Sequence, residues 1–249
     1  RLGKAVACSP LTGGDGTWAE YMLTDAMKVL PLPGDISQDQ GAMMVVNPMT
    51  AMAFMHLAKK GRHQALVNNA AASSLGKMLI KLSDSKRIPL INIVRKEEQV
   101  IALKKGGATY VLNSSSATFK EDLAGLSRKL NATLILDAVT GSQSALLLDA
   151  APRGSTLLAY ARLSGEPISA DPAALIREEK EIRGFQLGNW LQSKGLLFKL
   201  RFLNSVKKLL STDLSSHISR TYSLEHAEEA INQYKAHMSD GKILLKIGS

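Results

Sequence analysis

The chain has 249 residues, 45% of them hydrophobic and only one a cysteine. That is enough apolar material for a sizeable core in one or two domains, while no apolar window reaches the about 18 residues of a membrane span. Cys8 alone excludes an intramolecular disulfide framework and a cysteine-rich structural zinc site, and it suits a reducing, cytoplasmic setting. The formal charge of +9 calls for an anionic partner: a nucleotide cofactor, an acyl-CoA-like substrate or nucleic acid. The basic residues are scattered in small groups, Lys59 to Arg62, Lys104 with Lys105 and Lys194 to Lys208, without interleaved aromatics, which argues against nucleic acid. His56, His63, His217, His226 and His237 lack paired metal-ligand spacing, so neither a metal site nor histidine catalysis is expected.

In chain order, residues 3 to 30 read as short strands and turns: KAVACS, the turn GGDG, TWAEYML with rough alternation, and KVLPLP. The chain opens on Arg1 just before KAVACS with no methionine or signal-peptide pattern, and an absent amino-terminal segment is expected. Ser37 and Gln40 have capping-box spacing ahead of a helical region through Met43 and Met44. A second helix follows Pro48 through Met52, Met55 and Ala58, its methionines filling core. From residue 65 strands alternate with helices: ALVNN, 75 to 86, PLINIV, 96 to 105, TYVLN, 118 to 129, ATLILDA, 142 to 150, STLLAYA. The pattern predicts a parallel sheet covered on both faces, with right-handed crossovers and a capping box at Thr118 and Glu121. EIRGFQL extends the sheet, a long helix spans 190 to 210, and HISRTY, helix 223 to 238 and KILLKI close the chain.

The stretch VNNAAASSLGKMLIKL, residues 67 to 82, has the strand, turn and helix context of a dinucleotide turn, with Leu75, Met78, Leu79 and Leu82 on one face. Where G-x-G-x-x-G is usual, it has Ala71, Ser73 and Gly76, so the motif by itself is weak. Nineteen residues beyond Gly76, where an acid would bind the ribose of NAD, stands Arg95 followed by Lys96. A carboxylate there repels a 2′-phosphate, whereas two cations pair with it, so NADPH is the expected cofactor. The same cations otherwise read as an ordinary solvated helix start, at some cost against the positive end of the helix dipole.

At this point the chain resembles the medium-chain dehydrogenase/reductase superfamily, in its zinc-free quinone oxidoreductase and 2-enoyl thioester reductase branch. GDGTWAEYM (14 to 22) is similar to the family's GTWAEY segment and NPMTA (47 to 51) to its NPxTA helix start. NAAASSLG (69 to 76) resembles the enoyl-reductase turn N-A-x-x-S-x-x-G, and NIVR the NADPH-recognising strand end. LLAYARLSG, RGFQLGNWL and GKILLKI resemble later strands of the family. The resemblance implies that Asn47 and Thr50 face the nicotinamide and its ribose, although an Asn-Pro-x-Thr start is also plain capping chemistry. It implies that Ser73, Ser74 and Leu75 present N–H groups and hydroxyls to the pyrophosphate, beside Gly76; an N-cap is the competing reading. It places Val139, Tyr160, Leu163, Phe185 and Leu187 along the nicotinamide side, where buried aromatics are otherwise simply core. Ser114 stands where many quinone reductases carry a tyrosine at the adenosine end. The family's amino-terminal region, which supplies much of the substrate pocket and in enoyl reductases a tyrosine acid, has no counterpart here, so the catalytic residue is unassigned.

The expected architecture is α/β: a Rossmann doubly wound parallel sheet at 43 to 187, plus a partial β-rich, GroES-like catalytic domain from 1 to 42 and 188 to 249. The expected activity is NADPH-dependent, zinc-independent reduction of a quinone or an α,β-unsaturated carbonyl or enoyl thioester, a small-molecule substrate, by a homodimer without membrane attachment. Two alternatives are an NADPH-binding module without turnover and a basic RNA-binding relative of the same fold.

Overall fold

The computed structural model describes residues 3–11, 13, 16–26 and 29–248. The chain divides into two units, one of residues 1–50 and 197–249 and one of residues 51–196. Among the described residues no helix is long and apolar enough to cross a membrane.

The second unit holds a six-stranded, all-parallel sheet in the order β5-β4-β3-β6-β7-β8. Its strands are β3 (Ala65–Asn68), β4 (Leu90–Val94), β5 (Tyr110–Asn113), β6 (Ala132–Asp137), β7 (Thr156–Ala159) and β8 (Glu181–Gly184). This is the order of the dinucleotide-binding sheet, in which the chain reverses direction of growth between β3 and β6. The reason is visible in the strands. LVN and LINIV are buried at every position, so neither face can meet water and helices must cover both. On one face Val67, Ile91, Ile93, Ile135 and Leu157 pack with Phe119 and Leu123 of α5 (Phe119–Leu130) and Leu147 and Leu148 of α6 (Ser142–Ala150). By the two-residue alternation of a strand, Leu66, Leu90, Leu134 and Leu136 point to the opposite face. That face is the side of α3 (Ser74–Lys86), whose Met78, Leu79 and Leu82 are buried, and of α4 (Glu97–Lys105).

In the first unit, β1 (Val6–Ala7) pairs antiparallel with β2 (Leu30–Pro31), and β9 (Ile218–Ser223) pairs in parallel with β10 (Lys242–Lys246) across α10 (Ala227–Ala236). The strand expected over TWAEYML is a run of bends among its described residues, and parts of the GGDG turn and of KVLPLP lie outside the described residues. The Ser37 hydroxyl does cap α1 (Gln38–Ala42), accepting from the Gln40 N–H at 3.2 Å. The return half of that capping box is absent because the Gln40 amide is used elsewhere: it donates to the Ser216 carbonyl at 2.8 Å and accepts from the Ser216 N–H at 3.1 Å. Thr118 likewise makes no cap, since its hydroxyl donates to Asp122 at 2.7 Å. Met44, between α1 and α2 (Val46–Lys60), and Met49 and Met55 of α2 are buried, while Met43 and Met52 are half-buried.

The helix expected at 190 to 210 is two helices, α8 (Leu187–Gln192) and α9 (Leu196–Lys207). The Ser193 and Lys194 N–H groups turn back to the Asn189 and Leu191 carbonyls and end α8 before Gly195. EIRGFQL likewise leaves the sheet at Gly184, because Gln186 caps α8 through its side-chain oxygen, 2.6 Å from the Asn189 N–H. A short helix the sequence pattern did not announce, α7 (Pro172–Arg177), precedes β8 and is capped by Asp171.

The register of the edge strand β8 depends on Lys180. Its ammonium is almost wholly buried and donates to the Leu148 carbonyl and to Glu178, each at 2.6 Å. Lys180→Ala is expected to cost about 1.5–3 kcal/mol, the worth of a hydrogen bond to a charged group. Arg153→Ala, which breaks the exposed pair with Glu179, should cost less than about 1 kcal/mol. Urea denaturation of both variants checks the contrast.

Candidate functional site

The carboxyl ends of the six parallel strands carry most of the residues singled out from the sequence. After β3 the chain turns through Ala70, a non-glycine residue at φ 52°, and the Ala71 N–H reaches the Ile93 carbonyl at 3.1 Å. Ser73 is the N-cap of α3: its hydroxyl accepts from the Gly76 N–H at 3.1 Å, and its own N–H is taken by the Ala70 carbonyl at 3.0 Å. The donors left to the first turn of α3 are therefore the Ser74 and Leu75 N–H groups, which have no intrahelical acceptor, and the Ser73 hydroxyl proton. Gly76 is required by space, because a Cβ there would overlap the Ala71 carbonyl. The helix start is thus pulled against the turn as the third glycine of a dinucleotide motif does. These features fit a pyrophosphate: a close backbone approach and N–H donors at the positive end of a helix.

Arg95 follows β4, exposed, its carbonyl accepting from the Ser115 hydroxyl at 3.0 Å and its N–H donating to the Gln99 side chain at 3.2 Å. Lys96 is the N-cap of α4 without a side-chain cap bond. Glu97 and Glu98 occupy the first turn and complement the helix dipole, so it is the place of the two cations at the strand end that suits an anion here. Among the described residues neither cation makes an ion pair.

Across the point where the strand order reverses, Asn69 and Asp137 meet. The Asn69 amide donates to Asp137 Oδ1 at 2.6 Å and to Gln143 at 2.9 Å, and its oxygen accepts from the Ala138 N–H at 2.7 Å. Asp137 also accepts from the Val139 and Thr140 N–H groups, both at 2.9 Å, and from the Ser144 hydroxyl at 2.6 Å. Val139 is half-buried on this turn, and Leu163 is exposed on the segment that lies beside it.

Tyr160 and Phe185, the first residues after β7 and β8, both pack against Phe54 of α2, with ring centroids 5.1 and 4.8 Å away. Trp190 of α8 lies 6.2 Å from Phe185 and edge-on to His56 at 5.7 Å. Burial first, then Lys194 and Lys60, hold the His56 imidazole below its usual pKa. Tyr160, Ala161, Gly184, Phe185, Gln186 and Trp190 line a cleft of about 650 Å³ beside the strand ends. Burial pushes the Tyr160 phenol well above the tyrosine range, with the Asp137 carboxylate adding to the shift, so the phenol is a hydrogen-bond donor at neutral pH. Leu187 opens α8 next to this cleft. The structure therefore brings Ser73 to Gly76, Arg95, Lys96, Val139, Tyr160, Leu163, Phe185 and Leu187 to one end of one sheet. Asn47 and Thr50 lie on the first turns of α2 and belong to the first unit. Among the described residues no three His, Cys, Asp or Glu side chains form a group that could hold a metal ion.

No family model matches the chain. A crystal structure from Mesorhizobium loti, provisionally an NADPH:quinone reductase, superposes with a TM-score of 0.85 over 100% of this chain and 71% of that one, at 30% identity. The chain belongs to the medium-chain dehydrogenase/reductase superfamily. Curated relatives are the mitochondrial enoyl-[acyl-carrier-protein] reductases of Mus musculus, 27% identical over 73% of this chain and 50% of that protein, and of Caenorhabditis elegans, 30% identical over 73% and 53%. The chain spans about half the length of the curated relatives it matches. In this member of the superfamily, residue patterns alone missed the Asn69–Asp137 bond, Phe54, Thr140 and Trp190. Asn69 stands in a recognisable turn motif, but no period links it to a residue 68 positions away.

Gly76→Ala tests the turn. It should lower the melting temperature clearly, because α3 must move off the turn to relieve the overlap with Ala71, whereas Gly125→Ala on α5, where an added Cβ meets nothing within 4 Å, should not. Thermal unfolding followed by circular dichroism reads both.

Proposed function

We propose that the chain is the cofactor-binding part of an NADPH-dependent, zinc-independent oxidoreductase that reduces a quinone or an α,β-unsaturated carbonyl or enoyl thioester. The observation that carries this reading is the Ser73-capped, Gly76-tight turn where the sheet reverses its strand order, in line with an aromatic-walled cleft at β7 and β8. The names of the relatives, an NADPH:quinone reductase and enoyl reductases, support it. Residues 43 to 187 are read as the dinucleotide-binding domain, with 1 to 42 and 188 to 249 as portions of a GroES-like catalytic domain.

The nicotinamide, when bound, supplies a hydride to an electron-poor carbon of the substrate. Ser74 and Leu75 N–H groups and the Ser73 hydroxyl hold the pyrophosphate, and Arg95 with Lys96 holds the 2′-phosphate. Asn47 and Thr50, on the first turns of α2, keep the role at the nicotinamide and its ribose that the resemblance implies. Val139, Tyr160, Leu163, Phe185 and Leu187 exclude water from the nicotinamide side and orient a flat substrate in the cleft. Negative charge developing on the substrate oxygen calls for hydrogen-bond donors, and the cleft wall includes the protonated Tyr160 phenol and the Gln186 amide. Cys8 argues only for a reducing compartment, which the cytosol and the mitochondrion of the relatives' names both satisfy.

A homodimer is proposed from the edge strand β8, which pairs only with β7 among the described strands. The apolar GFQL run does not itself form an exposed edge, since Phe185 packs on Phe54 and Trp190 and Leu187 begins α8. What remains is an open edge carrying Glu181 and Arg183, which pair with each other in one copy. Antiparallel pairing about Ile182 would set the Glu181 of each copy opposite the Arg183 of the other. Light scattering at tens of micromolar should give twice 26.8 kDa, and a monomer mass counts against the paired edge.

The function itself is tested by titrating NADPH and NADH and by following NADPH absorbance with a 2-enone, a 2-enoyl thioester and a benzoquinone. NADPH should bind more tightly than NADH. Arg95→Ala should weaken NADPH by roughly 10- to 150-fold, the worth of about 1.5–3 kcal/mol, and leave NADH nearly unchanged. Tight binding with no oxidation by any substrate points instead to a binding module without turnover.

A further inference from the structure

The turn after β6 contains a conformation that needs an explanation. Thr140 is β-branched, buried and left-handed, with φ 66°, a region such residues avoid unless their surroundings force it. Its N–H is bonded to Asp137, and its hydroxyl oxygen lies 2.6 Å from the Val139 carbonyl, 3.0 Å from the Glu166 carbonyl and 3.2 Å from the Ser164 hydroxyl. The Ser164 hydroxyl accepts from the Glu166 N–H at 3.0 Å, so its own proton is available to Thr140, while the Thr140 proton passes on to a carbonyl. Gly141 is left-handed as well, φ 70°, and sits so close to the same segment that a Cβ would lie 3.1 Å from the Glu166 Cβ and 3.3 Å from the Ser164 hydroxyl.

Residues 160 to 169 are laid along this turn. The Tyr160, Leu163 and Ser164 N–H groups donate to the carbonyls of Asp137, Ala138 and Val139 at 3.0, 2.9 and 2.9 Å, and the Ser169 N–H reaches Gly141 at 3.3 Å. Every residue from 161 to 169 is nevertheless exposed. Hydrogen bonds, not buried apolar area, keep the segment down, and the Thr140 hydroxyl is the side-chain fastener that reaches its far half. We propose that Thr140 is a positioning residue that clasps 160–169 onto the end of β6, so that Val139, Tyr160 and Leu163 form one wall for the nicotinamide half of the cofactor. The role rests on the function proposed above. Thr140 is buried and acts through Val139 and Leu163.

The test compares NADPH with 2′,5′-ADP, which carries the adenosine end of the cofactor alone. Thr140→Val keeps the shape and removes the hydroxyl; it should weaken NADPH by roughly 2- to 12-fold, the range of one neutral hydrogen bond, and leave 2′,5′-ADP unchanged. Thr140→Ser should restore NADPH affinity. Thr140→Gly, free of the left-handed strain, should fold and show the same selective loss, which keeps the test open if the valine variant misfolds. Unchanged NADPH affinity in Thr140→Gly overturns the clasp, and so does an equal loss for both ligands, the mark of a merely structural threonine. If the unaltered protein binds neither ligand, the proposed function fails before Thr140 is changed, and the clasp fails with it.

Discussion

Asp137 has no exposed surface, and its carboxyl group takes hydrogen bonds from the Asn69 amide, the Val139 and Thr140 N–H groups and the Ser144 hydroxyl. A carboxylate removed from water is destabilising by several kcal/mol unless its oxygens are bonded, so each donor is fixed as much as it fixes. The four donors come from the end of β3, the turn after β6 and the start of α6. The sheet reverses its order of growth at this place, where a doubly wound fold leaves its crevice. One buried side chain thereby sets the separation of two strand ends, the path of the β6 turn and, through the Asp137 and Ala138 carbonyls, the segment that begins at Tyr160.

The turn between β3 and α3 obeys a different constraint. The usual first two glycines are absent, yet the backbone still makes the tight approach, with Ala70 accepting a left-handed φ and Gly76 keeping the one position where no side chain fits. Serine takes over part of the glycine role: Ser73 closes the helix start with its hydroxyl acceptor and keeps a proton for an anion. A motif that looks degraded as a pattern of glycines remains intact as a pattern of donors and clearances.

At the other end of the site, aromatic packing does the positioning. Phe54, fully buried, packs against both Tyr160 and Phe185, and Trp190 extends the wall. Rings that pack on one another in this way give the aromatic wall of the cleft a defined shape. The edge strand that carries Phe185 is placed by the buried Lys180.

The sequence by itself determined the alternation of strands and helices from residue 65 to 159, because short continuous apolar runs and amphipathic helices each have one way to bury their surface. It also located the turn at Ser73 to Gly76 and the cations after β4, which are local features read within a few residues. Breaks set by competition for a polar group were not legible: Gln40 leaves its capping box for Ser216, Thr118 prefers Asp122, and Ser193 ends a helix whose apolar spacing runs on. Only the tertiary structure decided that Asn69 meets Asp137, that Phe54 joins Tyr160 to Phe185 and that Thr140 closes on Glu166. These partners are far apart in the chain, and a polar or aromatic side chain does not announce its partner until the backbone has brought the two within reach.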